Sequence, residues 1–180
     1  IKFGPELNAY TSFDQTVYML TVPTDSIGIL ENGFLVLEDW AHNLSFDPVE
    51  IDKERGVVIE EWRLGRGAQM RMLDKQLPVL FKGSRYAVRL PIGQKEIIEN
   101  AGYETIKDFY KTWYRPDLIA VAAVGDFDVK QIEGYIKKYF SNLVPPKNEE
   151  ERTDYDIPGH TETYFAIASD KEAQYSLVSL

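Results

Sequence analysis

Two glutamates lie seven positions apart in residues 52–62, DKERGVVIEEW, and could act together on one ligand. If this stretch is an α-helix, the spacing returns Glu61 to nearly the face of Glu54, about 10 Å further along. The apolar residues 57–59 between them are expected to be core. Two carboxylates beside an apolar stripe can be a metal ligand and a group that supports it, and the alternative is a solvated charged face. The pair alone leaves both interpretations open.

The cysteine and histidine content limits the chemistry that is possible. The chain has no cysteine and two histidines, His42 and His160, which lie far apart in the sequence. The absence of cysteine excludes disulfides, cysteine-ligated zinc and thiol catalysis. The histidines do not have the spacing of a zinc-binding helix. Any metal site built from this chain alone would therefore rest on carboxylates.

The charge and the hydropathy pattern exclude several classes of partner. A net charge of -9 argues against nucleic acid, because phosphate contacts need a basic surface. The same charge argues against an anionic membrane surface. No stretch approaches the roughly 18 consecutive apolar residues of a membrane span. We therefore predict no nucleic-acid partner and no membrane span.

The elements that must position the two glutamates follow from apolar periodicity and from turn signals. Pro48 is expected to open a helix over about 48–65, which carries both glutamates. The other predicted elements are strands at 7–12, 16–22, 117–125, 161–168 and 172–180, helices at 24–44, 94–100, 103–114 and 128–142, and an irregular stretch at 76–94. This order of strands and helices predicts an α+β fold.

Three stretches in this order and spacing resemble the pitrilysin (insulinase) family of zinc metallopeptidases: LNAYTSFDQTVYML, ERGVVIEEW and FYKTWYRPDLIAVAAVGDFD. The resemblance covers roughly residues 4–143. It implies an incomplete half of a molecule in which two similar α+β halves surround a chamber. It further implies a mixed or antiparallel sheet with helices packed on one face, zinc as the cofactor and peptides as substrates.

The resemblance also assigns roles to individual residues. Zinc in this family is held by two histidines of an inverted H-x-x-E-H motif and by a glutamate from a later helix. That third ligand falls on Glu61 and a supporting carboxylate falls on Glu54, whereas Glu60 is expected to be solvated. The family receives its peptide substrate as an added β-strand on an edge strand. The residues of this sequence that fall on that strand are Asn8, Ala9 and Tyr10.

The sequence departs from the family because it contains no H-x-x-E-H motif. Two of the three zinc ligands and the catalytic base are therefore missing, and we expect this chain alone to be inactive and to hold no zinc. One hypothesis is an internal piece of an active peptidase whose motif precedes Ile1. A second is a non-catalytic family member that pairs with an active partner, and a third is an acidic module for protein interaction. The Glu54 and Glu61 pair favours the first.

The resemblance predicts the domain organisation as well. Residues 1–143 are expected to be the C-terminal part of a first peptidase domain, residues 144–160 a Pro-rich charged connector, and residues 161–180 the start of the following domain. Exposed sheet edges in such a piece predict self-association by strand pairing. A location in the bacterial envelope or periplasm is expected by analogy.

Overall fold

The computed structural model describes residues 7–147 and 149–179, which fall into two compact units. The first unit comprises Ile1–Pro48 and Gly102–Glu151, and the second comprises Val49–Ala101 and Arg152–Leu180. Each unit is therefore assembled from two separate stretches of sequence. Among the described residues, no helix combines the length and the apolar character needed to cross a bilayer. The predicted domain boundaries at 143 and 160 stay a prediction.

The described residues form one small sheet and several helices. The sheet is an antiparallel pair of β1 (Leu7–Thr11) and β2 (Thr16–Leu20). The α-helices are α1 (Ile27–His42), α2 (Pro48–Leu64), α3 (Ala68–Leu80), α4 (Lys95–Asn100), α5 (Tyr103–Trp113) and α6 (Val129–Phe140). Short 3₁₀ turns lie at Arg85–Val88 and Pro116–Leu118. The predicted α+β class is confirmed, with helices as its larger part.

The first unit contains the β-hairpin and α1, α5 and α6. Its core is formed by Leu30 and Phe34, which lie one turn apart on the same face of α1, against Ile132 of α6. The start of α6 is fixed by Asp128, whose carboxylate accepts a hydrogen bond from the Gln131 N–H at 2.8 Å. Such a cap satisfies a backbone donor that the first turn leaves free.

The second unit contains α2, α3 and α4 together with the C-terminal stretch. Arg71 of α3 donates from Nε and Nη2 to the two carboxylate oxygens of Asp170, both at 2.8 Å. These hydrogen bonds hold the pKa of Asp170 well below its usual range. Gln76 of α3 also donates to the carbonyl of Ala166 at 3.2 Å. Polar contacts thus fix the C-terminal stretch to one helix of this unit.

Helix α3 was not predicted from the sequence. The sequence predicts a helix over about 48–65 and an irregular stretch at 76–94, with no helix between them. Gly67 instead has an extended backbone immediately before the first turn of α3, so this glycine separates two helices. Pro78 lies inside α3, two residues before its end at Leu80, and lacks the N–H that would bond the carbonyl four residues earlier. The irregular stretch is confirmed only beyond Leu80.

The strands predicted at 117–125, 161–168 and 172–180 are not present in the described residues, and residue 180 lies outside them. Residues 119–124 nevertheless alternate in burial with a period of two, and Val121 and Ala123 pack against the core of the first unit. Val124 is 98% exposed. An extended segment becomes a strand only when a neighbouring strand accepts and donates its backbone hydrogen bonds. The prediction of a buried strand at 117–125 is therefore wrong, because this apolar run has no neighbouring strand among the described residues and exposes alternate side chains.

Candidate metal and substrate-binding residues

Helix α2, which carries both glutamates of the candidate metal site, forms where the sequence predicted it. Pro48 occupies its first position, Glu50 lies in its first turn and Arg63 in its last. Proline at the first position and this placement of charges both suit a helix and its dipole. None of the residues of α2 that the structure describes is buried. The helix therefore lies on the surface of the second unit.

Glu54 and Glu61 lie on an exposed face of α2 that also carries apolar side chains. Residues at i, i+3, i+7 and i+10 share one face, which here groups Glu54 and Glu61 with Val57 and Leu64. Val57 is 59% exposed and Leu64 is 75% exposed. The prediction that residues 57–59 are all core is therefore wrong for Val57, because that position turns to the same side as the glutamates. We call Glu54, Val57, Glu61 and Leu64 the carboxylate face.

The two neighbouring glutamates at the end of α2 have different surroundings. Glu60 accepts hydrogen bonds from Nε and Nη2 of Arg63 at 3.0 and 2.8 Å. This contact holds the pKa of Glu60 below its usual value. Within residues 7–147 and 149–179, the carboxylates of Glu54 and Glu61 have no hydrogen-bond or ion-pair partner. The structure thus leaves available the two carboxylates that the resemblance assigned to the metal site.

These two carboxylates do not make a complete zinc site. No group of three or more histidine, cysteine, aspartate or glutamate side chains in the described part of the chain could hold a metal ion. His42 ends α1 in the first unit, and His160 Nδ1 contacts the carbonyl of Glu162 at 2.6 Å in the second. The donor set fits one carboxylate ligand and one supporting carboxylate. A zinc site with three protein ligands would need donors beyond these residues.

The predicted substrate-binding residues lie on β1 in the first unit. Asn8, Ala9 and Tyr10 are exposed, and β1 pairs with β2 in a register that sets Ala9 opposite Tyr18. The sheet has two strands in the described residues, so β1 has one edge without a strand partner there. Such an edge presents backbone donors and acceptors to another strand. The side chain of Asn8 accepts a hydrogen bond from the Ala9 N–H at 2.9 Å.

A tyrosine pair that the sequence did not predict connects the hairpin to α5. The hydroxyls of Tyr18 and Tyr114 lie 2.6 Å apart, and the ring of Tyr114 stacks on Tyr110 at 4.5 Å. Burial, and then the hydrogen bond to Tyr114, raise the pKa of Tyr18 far above its usual value. The Tyr110 hydroxyl donates to the carbonyl of Trp40 at 2.7 Å. The tyrosines are separated by 96 residues, and no sequence pattern signals such a contact.

Family models match most of the chain in two parts. The model described as "Insulinase (Peptidase family M16)" matches residues 2–77, which include β1 and α2. The model described as "Peptidase M16 inactive domain" matches residues 100–178. The two matches follow one another along the sequence and belong to one peptidase family.

Curated relatives and solved structures agree with these matches. The chain is 40% identical to the probable zinc protease PqqL of Haemophilus influenzae over 88% of its own length and 17% of that protein's. It is 36% identical to a zinc protease PQQL-like protein of Arabidopsis thaliana over 99% of its length and 19% of that protein's. The crystal structure of the first half of the periplasmic protease PqqL from Escherichia coli matches with a TM-score of 0.79 and 33% identity, covering 88% of this chain and 34% of that one. The chain therefore spans about a fifth of the length of these curated relatives.

Proposed function

The chain belongs to the insulinase family, peptidase family M16, and from that premise we propose that it is part of a zinc-dependent metalloendopeptidase that hydrolyses peptides. The proposal concerns a longer polypeptide, the parent, since the chain matches less than a fifth of the length of the curated relatives named above. In the parent, this chain supplies one zinc ligand, its support and the strand that receives the substrate. The two histidine ligands and the catalytic base come from elsewhere, because the chain has no H-x-x-E-H motif.

The observation that carries this proposal is the contrast between neighbouring glutamates on α2. Glu60 is paired with Arg63, whereas Glu54 and Glu61 have no partner in the part of the chain that the structure describes and lie on a face that also exposes apolar side chains. A purely solvated face carries mostly polar residues, whereas two of the four positions of the carboxylate face are apolar. Carboxylates next to exposed apolar groups favour a face that another element covers. A helix bearing the zinc histidines is the element that the family provides.

Each glutamate of the carboxylate face has a separate role in this proposal. Glu61 holds zinc through its carboxylate, and a neutral amide in its place is a poor ligand. Glu54 accepts a hydrogen bond from the second ring nitrogen of a histidine ligand and so fixes that ring's orientation. Zinc, when bound, lowers the pKa of its water molecule and polarises the scissile carbonyl. Without the histidines, this chain by itself holds zinc weakly and is inactive.

The substrate binds as an added strand on the edge of β1 that has no strand partner among the described residues. Main-chain hydrogen bonds supply the affinity in this mode, so that many peptide sequences are accepted. Asn8, Ala9 and Tyr10 are exposed and are therefore accessible to such a peptide. A peptide methylated at alternate backbone nitrogens cannot donate those hydrogen bonds. Its KM should rise relative to the unmodified peptide, and an unchanged KM would contradict this binding mode.

We place the parent in the bacterial periplasm by analogy with its relatives. The Escherichia coli structure that matches is described as a periplasmic protease. Plant relatives match as well, so the family alone does not fix the compartment. Fractionation of cells that express the parent would test the location. Recovery with cytoplasmic markers would contradict it.

The activity itself is tested on the purified parent with a quenched fluorescent peptide. We expect cleavage that stops when a chelator removes the metal and returns when zinc is added. A parent that binds no zinc, or one whose cleavage persists in the chelator, would contradict the proposal. Cleavage of the peptide by this chain alone, in the absence of zinc, would also contradict the proposal.

A further inference from the structure

Arg55 of α2 makes a contact that no part of the proposed function uses. Its guanidinium donates from Nη1 to the carbonyl of Ile98 and from Nη2 to the carbonyl of Ala101, the latter at 2.8 Å. Its side chain is only 18% exposed, and its Nε lies 3.6 Å from the carboxylate of Asp52 one turn earlier. A charged side chain that is mostly buried is thus committed to two backbone acceptors.

The two carbonyls lie at the C-terminal end of α4 (Lys95–Asn100). The last carbonyls of a helix have no partner within the helix and need one from outside. The guanidinium carries several N–H donors in a fixed planar fork, so it can bind two carbonyls at once and favours the negative end of the helix dipole. Helix α4 has only six residues and is too short to be stable alone. Arg55 therefore satisfies carbonyls at the C-terminal end of α4, and these hydrogen bonds connect α2 to α4.

The Arg55 contact adds to the packing that holds α2 in place. The side chains of Ile51, Val58, Ile59 and Trp62 are half-buried, and none of the residues of α2 that the structure describes is fully buried, so packing holds α2 less firmly than a core helix. The ion pairs Lys53–Glu50 and Arg63–Glu60 both join residues of α2 itself. Such pairs support the helix but do not attach it to a neighbouring element. The Arg55 contact, by contrast, crosses from α2 to α4.

We propose that Arg55 is a positioning residue that sets the place of the Glu54 and Glu61 carboxylates by anchoring α2 to the C-terminal carbonyls of α4. Arg55 directly follows Glu54 and lies on the same helix as Glu61, so a shift of α2 moves both carboxylates together. A zinc ligand must be held within a few tenths of an ångström of its place, so the anchor acts on metal affinity. This inference rests on the proposed function, since it assumes that the two glutamates serve the metal.

The test measures zinc affinity of the parent by competition with a coloured chelator, a readout that does not need turnover. Arg55→Gln should weaken zinc binding about 10-fold, in the range seen when a group that supports a metal ligand is lost. Arg55→Lys, which keeps the charge but can reach only one carbonyl, should lie between Arg55→Gln and the unmodified protein. Arg63→Gln is the control. Arg63 lies on the same helix but pairs with Glu60 of α2 itself, so its loss should leave zinc affinity unchanged.

Two further variants separate this inference from its premise and from general loss of stability. Glu61→Gln should lose zinc binding, and if it does not, the proposed function fails. If Glu61→Gln loses zinc while Arg55→Gln and Arg55→Lys both stay within about twofold of the unmodified protein, Arg55 has no positioning role. Arg71→Gln removes the contact with Asp170 and should lower stability without changing zinc affinity. Equal losses of zinc affinity in Arg71→Gln and Arg55→Gln would reduce Arg55 to a structural residue.

Discussion

Arg63 donates hydrogen bonds from Nε and Nη2 to one carboxylate oxygen of Glu60, at 3.0 and 2.8 Å. The carboxylate of the neighbouring Glu61 has no partner among the described residues. The two glutamates are adjacent in sequence, have the same charge and are both exposed. Their difference in pairing follows from the helix, because Arg63 is three residues from Glu60 and can reach it along one face. Glu60 is therefore a matched control for any experiment on Glu61.

Glu54→Gln in the parent should weaken zinc binding or activity by about 10- to 100-fold, less than the loss of Glu61. The physical reason is that Glu54 orients a ligand and does not itself bind the metal. Steady-state kinetics together with chelator competition measure both effects. If Glu54→Gln and Glu61→Gln each had no effect, the two residues would belong to an ordinary solvated face.

This chain alone should bind zinc no more tightly than about micromolar, because two carboxylates supply fewer than the three ligands of a catalytic site. Calorimetric titration with zinc is the measurement, and Glu61→Gln is its control. A stoichiometric site of nanomolar affinity in the unmodified chain would show that the described residues complete a site that the sequence does not reveal.

This chain alone should also self-associate, most simply as a two-fold dimer. Among the described residues, one edge of β1 has no strand partner and can pair with a second copy, and the exposed apolar residues Phe165 and Ile167 add surface that favours association. Light scattering at micromolar concentration should give the mass of a dimer. A charge placed in an exposed apolar surface opposes association, so Ile167→Lys should shift the equilibrium toward monomer. A monomeric unmodified chain would contradict this prediction.

The first unit should lose stability in alkali. Burial raises the pKa of Tyr110 to about 12, whereas the pKa of a tyrosine in the unfolded chain is about 10. The unfolded chain therefore releases its proton first, so stability is complete below about pH 10 and falls as the pH rises toward 12. Denaturant unfolding followed at several pH values measures the effect. Tyr110→Phe should flatten the pH dependence, and an identical dependence in both proteins would exclude Tyr110 as its source.

The sequence predicted those features that depend on nearby residues. Pro48 opens α2 at the predicted position, and the strands predicted at 7–12 and 16–22 are present as β1 and β2. The family motifs indicated the relevant helix and strand. Each of these signals lies within a few residues of the structure it specifies, which is why a single sequence was sufficient.

The features that the sequence missed depend on residues far along the chain. The Arg55 guanidinium donates hydrogen bonds to carbonyls 43 and 46 residues later in the sequence. The hydroxyl of Tyr18 is hydrogen-bonded to that of Tyr114, which lies 96 residues later. Residues 119–124 show the alternation of a strand, yet pairing depends on a neighbour that periodicity does not identify. The exposure of Val57 was missed because an apolar residue type does not tell which face a partner covers. The placement of Glu54 and Glu61 on one face was predicted, and their role at the metal stays a prediction.

The central claim is that Glu61 is a zinc ligand of a metallopeptidase, and zinc titration of Glu61→Gln and Glu60→Gln in the parent tests it most directly. The claim predicts that Glu61→Gln weakens zinc binding by more than about 100-fold, beyond the usual loss from a supporting group, while Glu60→Gln leaves it unchanged. Circular dichroism of both variants should match the unmodified protein. Equal zinc affinity in the two variants would contradict the claim.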